Sequence, residues 1–287
     1  MMDNIELLNL VPKFLDFYNR ANDEDISENQ RWQLWKENYN FAAVPPGDEG
    51  RKIARDLFQR AWEKYQQHID YLNRWEPSKK DIEATLTRIK YLLGYDKVID
   101  LVVIYFVGFF ENNAFVAPYD ETRLALCLPV ESKESSSGSF ITLSHELTHI
   151  VHAKTANLTS QWERSVGSSI LQEGLATQVS KYIVQNEPDE AYIEHRNGWL
   201  NECKLHRTDM IKGIIPYLED SSSEAIHQFT FGNGTTNLER EAYFVGWEIV
   251  RYLLEQGVSF KQMASIQEED IPNYLREILV ELNQWID

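Results

Sequence analysis

The hydrophobic pattern changes period twice along this chain, and those changes restrict its fold more than any other feature. In "IELLNLVPKFLDFYNR", "RWQLWKENYN", "EGRKIARDLFQRAWEKYQQHIDYLNRW" and "DIEATLTRIKYLLG", all before about Leu93, apolar residues recur three and four apart, which is the spacing of one helix face. Pro45, Pro46 and Pro77 punctuate these segments. "KVIDLVVIYFVGFF", "NAFVAPY" and "TRLALCLPV" are instead short, rich in β-branched and aromatic residues, and separated by turn-prone "ENN" and "DE", so they predict three strands. Helical spacing returns from Phe140 in "FITLSHELTHIVHAKTA", "SSILQEGLATQVSKYIV", "GWLNECKLHRTDMIKGIIPYLE", "REAYFVGWEIVRYLLEQG" and "IPNYLREILVELNQW". Helices, a compact sheet and helices again imply an α+β fold that is mostly α. The expected division is a helical N-terminal region over 1–93 and a second region over 94–287. The second holds a small mixed sheet over 97–130, helices over 140–185 and a helical C-terminal part over 190–287.

Charge and cysteine content narrow the function classes. With 28 basic against 45 acidic side chains, the formal net charge of -17 repels nucleic-acid phosphates and anionic membrane surfaces, so neither is an expected partner. The start "MMDNIELLNLVPKF" carries Asp3 and Glu6 and no basic stretch ahead of its apolar residues, so it reads as the start of a helix rather than a secretory signal. The apolar run from Val98 to Phe110 is broken by Asp100 and is too short to cross a bilayer as a helix. Cys127 and Cys203 offer no disulfide framework and fit a reducing, cytoplasmic location. Trp32, Trp35, Trp62, Tyr65, Tyr71 and Trp75 read as core and groove-lining residues. "ESKESSSGS", Glu131 to Ser139, reads as a solvated connection ahead of the next helix.

"SHELTHIVHA", Ser144 to Ala153, holds three of the seven histidines. Residues four apart on a helix share a face with Cβ atoms about 5 to 6 Å apart, so His145 and His149 can turn ring nitrogens toward one cation. Glu146, directly after the first histidine, can stand beside that cation without ligating it and take a proton from water. This is the HExxH pattern, and context must support it because short motifs recur by chance. Glu173 in "LQEGLATQ" supplies the context. It stands among Ile170, Leu171, Leu175 and Ala176, where a carboxylate is costly to bury without a cation. His145, His149 and Glu173 would leave a fourth tetrahedral position open, as catalytic zinc requires. His152 lies roughly 10 Å along the helix axis from His145, too far to join the same ion, so a hydrogen-bonded supporting or core role is expected for it.

"SHELTHIVHA" together with "QEGLATQ" resembles the gluzincins, zinc metallopeptidases with HExxH on one helix and a glutamate ligand on the next. "EAYFVGWEIVRYL" is similar to the C-terminal helix of a bacterial group of predicted HExxH-type zinc proteases. The resemblance runs from about Asn113 to Leu254 and leaves the N-terminal third uncovered. It implies a zincin-like catalytic core with zinc as cofactor, an active-site helix and a helical C-terminal subdomain. It also implies an upstream edge strand that pairs with an extended peptide, a place occupied here by "NAFVAPY", Asn113 to Tyr119. A donor to the oxyanion is implied as well, with Tyr243 the first candidate and His227 the second. The chain departs from the pattern at Thr177, where many gluzincins have an aspartate that orients a histidine. A metzincin is excluded, because that motif needs glycine at 152 and histidine at 155 and this chain has His152 and Thr155.

The expected function is therefore a zinc-dependent peptidase acting on a peptide or protein substrate, with Glu146 as general base. The alternatives are a non-catalytic zinc-stabilised helical interaction protein and a zinc hydrolase with a non-peptide substrate.

Overall fold

The computed structural model describes residues 3–45, 47–111, 113–132, 135–159 and 164–284. Its strands and α-helices run β1 (Asn4–Asn9), α1 (Val11–Ala21), α2 (Glu28–Asn38), α3 (Gly47–Leu72), α4 (Lys79–Leu93), β2 (Asp100–Phe106), β3 (Phe115–Pro118) and β4 (Leu124–Pro129). They continue with α5 (Ser136–Thr155), α6 (Val166–Ile183), α7 (Glu190–Ile193), α8 (Trp199–Leu205), α9 (Arg207–Ile214), α10 (Ser223–Thr230), α11 (Glu241–Glu255), α12 (Phe260–Ala264) and α13 (Ile271–Gln284). The fold is α+β and mostly helical, as the alternating periods predict. Two compact units divide the chain: Met1–Glu83 with Lys97–Ser135, and Ala84–Asp96 with Ser136–Asp287.

In the first unit a four-stranded mixed sheet has the order β1-β2-β4-β3. β1, β2 and β4 are parallel, and β3 runs antiparallel along β4 at the edge. Central β2 is buried from Leu101 to Phe106, which explains why its sequence is continuously apolar rather than alternating. The three expected strands are all present. The fourth, β1, overturns the helical reading of the N-terminus. Ile5 pairs in register with Leu101, Asn4 Nδ2 donates to Asp100 Oδ1 at 2.6 Å, and Ile99 N donates to Asp3 Oδ1 at 2.8 Å. Its partner lies beyond four intervening helices, so no local pattern reveals the pairing. The helix starts only at Val11, with Pro12 in its first turn and Val11 N bound to Asn9 Oδ1 at 3.0 Å.

Aromatic packing fills this unit's core. Phe14, Phe17, Phe58 and Tyr65 are fully buried, and Trp32 and Trp35 stack at 4.8 Å with planes 8° apart. Each such side chain contributes about 1.5–3 kcal/mol through burial. Glu131, read from the sequence as the start of a solvated loop, is 1% exposed. Its carboxylate accepts from Gly108 N (2.8 Å) and Phe110 N (3.0 Å), fastening the stretch after β2. Helix α5 begins at Ser136, inside the segment expected to be loop. Lys133 and Glu134 of that segment, and Pro46, lie outside the described residues.

In the second unit α6 is the central helix, buried at nearly every position from Val166 to Ser180. It is apolar on most faces because other helices surround it. Ser165 caps its start, its hydroxyl accepting from Ser168 N at 3.1 Å. α5 packs on one side of α6 and α11 on another. The α6–α11 crossing depends on two glycines: a Cβ on Gly174 would come within 2.3 Å of Gly246 O, and one on Gly246 within 2.2 Å of Ile170 O. Backbone meets backbone there, and any larger residue would force the helices apart. The segment expected as one helix from Gly198 to Glu219 is α8, α9 and a 3-10 turn over Ile215–Tyr217, with a break at His206.

Candidate metal centre

α5 and α6 bring His145, His149 and Glu173 together, as their spacing and surroundings in the sequence suggest. Their donor atoms all lie within 4.8 Å of one another. His145 Nε2 is 3.1 Å from His149 Nε2 and 3.2 Å from Glu173 Oε2, and His149 Nε2 is 3.6 Å from Glu173 Oε1. Ligands bonded at 2.0–2.1 Å in a tetrahedron are separated by about 3.3 Å, so these spacings suit one zinc ion. Among the described residues, Glu173 Oε2 accepts no well-aligned hydrogen bond. A bound cation satisfies a buried carboxylate oxygen of this kind. The three side chains remain 18, 19 and 16% exposed.

Electrostatics favours the metal-binding state of two ligands. Burial pushes His149 down to about 4, leaving its ring neutral near pH 7. For Glu173, burial disfavours the charge, but His149, His145 and Arg240 outweigh it and hold the carboxyl below its usual range. His145 moves the other way: burial opposes its cation, yet the hydrogen bond and charge of Glu173, with Glu146 adding, raise it. Glu146 is lifted by burial to about 7, with His145 working against the rise and Glu173 for it. A carboxylate with that affinity is a far better proton acceptor than an exposed one.

Tyr243 enters from α11, placed by the glycine crossing. Burial raises its phenol well above the usual range, and the charge and hydrogen bonding of Glu173 add to this, so it stays a donor at any ordinary pH. His227 is exposed on α10 beside Phe231 and is not among the residues of the cluster. Thr177, where an orienting aspartate was missing, donates its hydroxyl to the Glu173 and Gly174 carbonyls at 2.8 and 3.1 Å. It is turned back on its own helix and orients no histidine.

His152 is outside the cluster and fully buried, and neither ring nitrogen has a hydrogen-bond partner among the described residues. The expected hydrogen-bonding role is therefore corrected. Burial, then His149 and Arg164, push its pKa down to about 3, so it remains neutral. Two arginines that the sequence did not single out also act on this centre. The charge of Arg164 acts on His149 and Glu173, and that of Arg240 on His145, Glu173 and Tyr243.

Residues 118–273, more than half of the chain, match the family model described as "Predicted Zn-dependent protease (DUF2268)". The chain belongs to this family. The matched DUF2268 segment contains the whole cluster, Tyr243 and both glycines of the crossing. No match is found among curated proteins or solved structures. Among the described residues of this DUF2268 chain, no helix is long and apolar enough to cross a membrane.

Proposed function

We propose that the protein is a gluzincin-like zinc peptidase, with His145, His149 and Glu173 as ligands. The observation that carries this reading is the convergence of two histidine ring nitrogens and the Glu173 carboxylate within 4.8 Å of one another, in a chain of a family described as predicted zinc-dependent proteases. Zinc held by these residues supplies Lewis acidity toward a scissile carbonyl and toward water. Glu146 takes the proton from the attacking water and delivers it to the leaving amine, a role that suits its raised proton affinity. The Tyr243 hydroxyl donates to the oxyanion as it develops. The metal-site helices α5 and α6 and the helix α11 that carries Tyr243 all belong to the second unit. β3 presents an edge to which an extended peptide adds as a further strand. Two buried free cysteines fit a cytoplasmic setting.

Purified protein is expected to carry about one zinc per chain by elemental analysis. It should also cleave members of a fluorogenic peptide library, with a chelator stopping cleavage and added zinc restoring it. Zinc-loaded protein that cleaves no peptide overturns the peptidase reading, and protein that binds no zinc overturns the site.

A further inference from the structure

Two arginines act on the metal cluster, and among the described residues only Arg164 has hydrogen-bond partners. Arg164 donates through Nε to Thr159 O at 2.9 Å and through Nη1 to Gln172 Oε1. Arg240 donates to no carboxylate, carbonyl or hydroxyl among the described residues. Its neighbours in sequence are engaged elsewhere: Glu239 faces His195 at 3.3 Å and Arg196 at 3.6 Å, and the Glu241 carboxylate accepts from the amides and hydroxyls of Thr235 and Thr236.

The backbone holds Arg240 in place. It occupies the position ahead of α11 with φ 57° and ψ 38°, a left-handed conformation that side-chain-bearing residues seldom adopt. Its guanidinium lies over the Tyr243 ring, 5.2 Å from the centroid. A cation–π contact of this kind uses none of the guanidinium N–H groups as conventional hydrogen-bond donors. Tyr243 lies one turn ahead of Gly246, whose backbone meets that of Gly174 next to Glu173, so the fork over the Tyr243 ring stands near the metal ligands.

We propose that Arg240 is the anchor for a substrate carboxylate beside the metal centre. A half-buried guanidinium with its donors unused, in a chain of net charge -17, fits a planar monoanion from outside the protein. Arg164 already spends Nε and Nη1 on Thr159 and Gln172. The carboxylate comes from an acidic side chain or from the C-terminus of a short peptide. The proposal rests on the peptidase reading for the identity of the substrate, though not for the binding event.

The test is calorimetric titration of zinc-loaded protein with four peptide hydroxamates. One bears aspartate and its control asparagine; one ends in a free carboxylate and its control in an amide. Wild type is expected to bind the acid of one pair about tenfold or more tightly than its neutral control. The pair that shows the preference identifies the source of the carboxylate. Arg240→Gly, which tolerates the left-handed backbone, and Arg240→Gln are both expected to abolish the preference, read as the acid-to-neutral affinity ratio of the zinc-loaded fraction of each variant. Arg240→Lys is expected to restore part of it. An unchanged acid-to-neutral ratio in the Gly and Gln variants, or no preference in wild type that binds the neutral hydroxamates, overturns the anchor alone. Wild type that binds no hydroxamate overturns the anchor and the metal reading together.

Discussion

Two buried glutamates, one in each unit, have opposite surroundings. Glu131 in the first unit is held by the amides of Gly108 and Phe110, and a Cβ on Gly108 would come within 2.9 Å of its Oε1. Burial still raises its pKa, with those amides working against the rise. Glu173 in the second unit has no backbone donors among the described residues, yet its pKa falls because two histidine rings and Arg240 outweigh burial. Glu131 is closed by hydrogen bonds to its own chain and fastens a loop. Glu173 is kept ionised by neighbours, and its oxygens face the two histidine rings rather than backbone amides. Burial alone therefore does not separate a structural carboxylate from a functional one; what satisfies the oxygens does.

Exchanging the two glutamates for alanine tests this difference, and Glu173→Ala is expected to have the largest effect. Zinc content falls from about one per chain to near zero and peptide cleavage to background, while the metal-free variant unfolds near the wild-type denaturant midpoint. Next in size is Glu146→Gln, expected to keep its zinc and lose about 10²- to 10⁴-fold in turnover, measured as kcat on a cleaved peptide. Full activity would remove Glu146 from the chemistry. Glu131→Ala is expected to keep both zinc and activity and to lose about 1–3 kcal/mol of stability in urea unfolding, because two buried amides are left unpaired. If Glu131→Ala loses zinc, or if metal-free Glu173→Ala is as unstable as Glu131→Ala, the distinction fails.

The metal cluster was legible in the sequence because its signals are local. His145 and His149 are one helical turn apart, and Glu173 is an acid inside an apolar turn. The remaining features depend on distant parts of the chain. β1 looked helical because Ile5, Leu7 and Leu8 also suit a helix face, and its partner β2 is remote. Glu131 looked solvated because serines follow it, and the amides it binds lie more than twenty residues earlier. Tyr243 was an open candidate because its approach to Glu173 is set by the contact of Gly174 with Gly246. A glycine in the middle of each of two helical segments was the available signal. Arg240 had none, since a left-handed backbone at an arginine leaves no pattern in the residue types.

His152 extends the comparison to a buried group that is neither closed by hydrogen bonds nor open to a ligand. Its folded pKa is depressed to about 3, so it contributes stability that is present above the unfolded value near 6.5 and is lost as pH falls toward the folded one. Within that window the loss approaches about 1.4 kcal/mol for each pH unit. His152→Met replaces the ring with an apolar side chain that has nothing to protonate. Urea unfolding of metal-free wild type and variant at intervals from pH 7 to 4.5 is expected to give curves that diverge below about pH 6, with wild type losing more. His149, lowered to about 4 for the same reason, is present in both proteins, so the difference between the curves reports His152. Near pH 7 the variant is expected to match wild type to within about 1 kcal/mol, because the substitution removes two polar atoms that no donor or acceptor serves. Parallel curves would mean that His152 finds a partner in solution, and it would then belong with Glu131 among the groups that the fold closes.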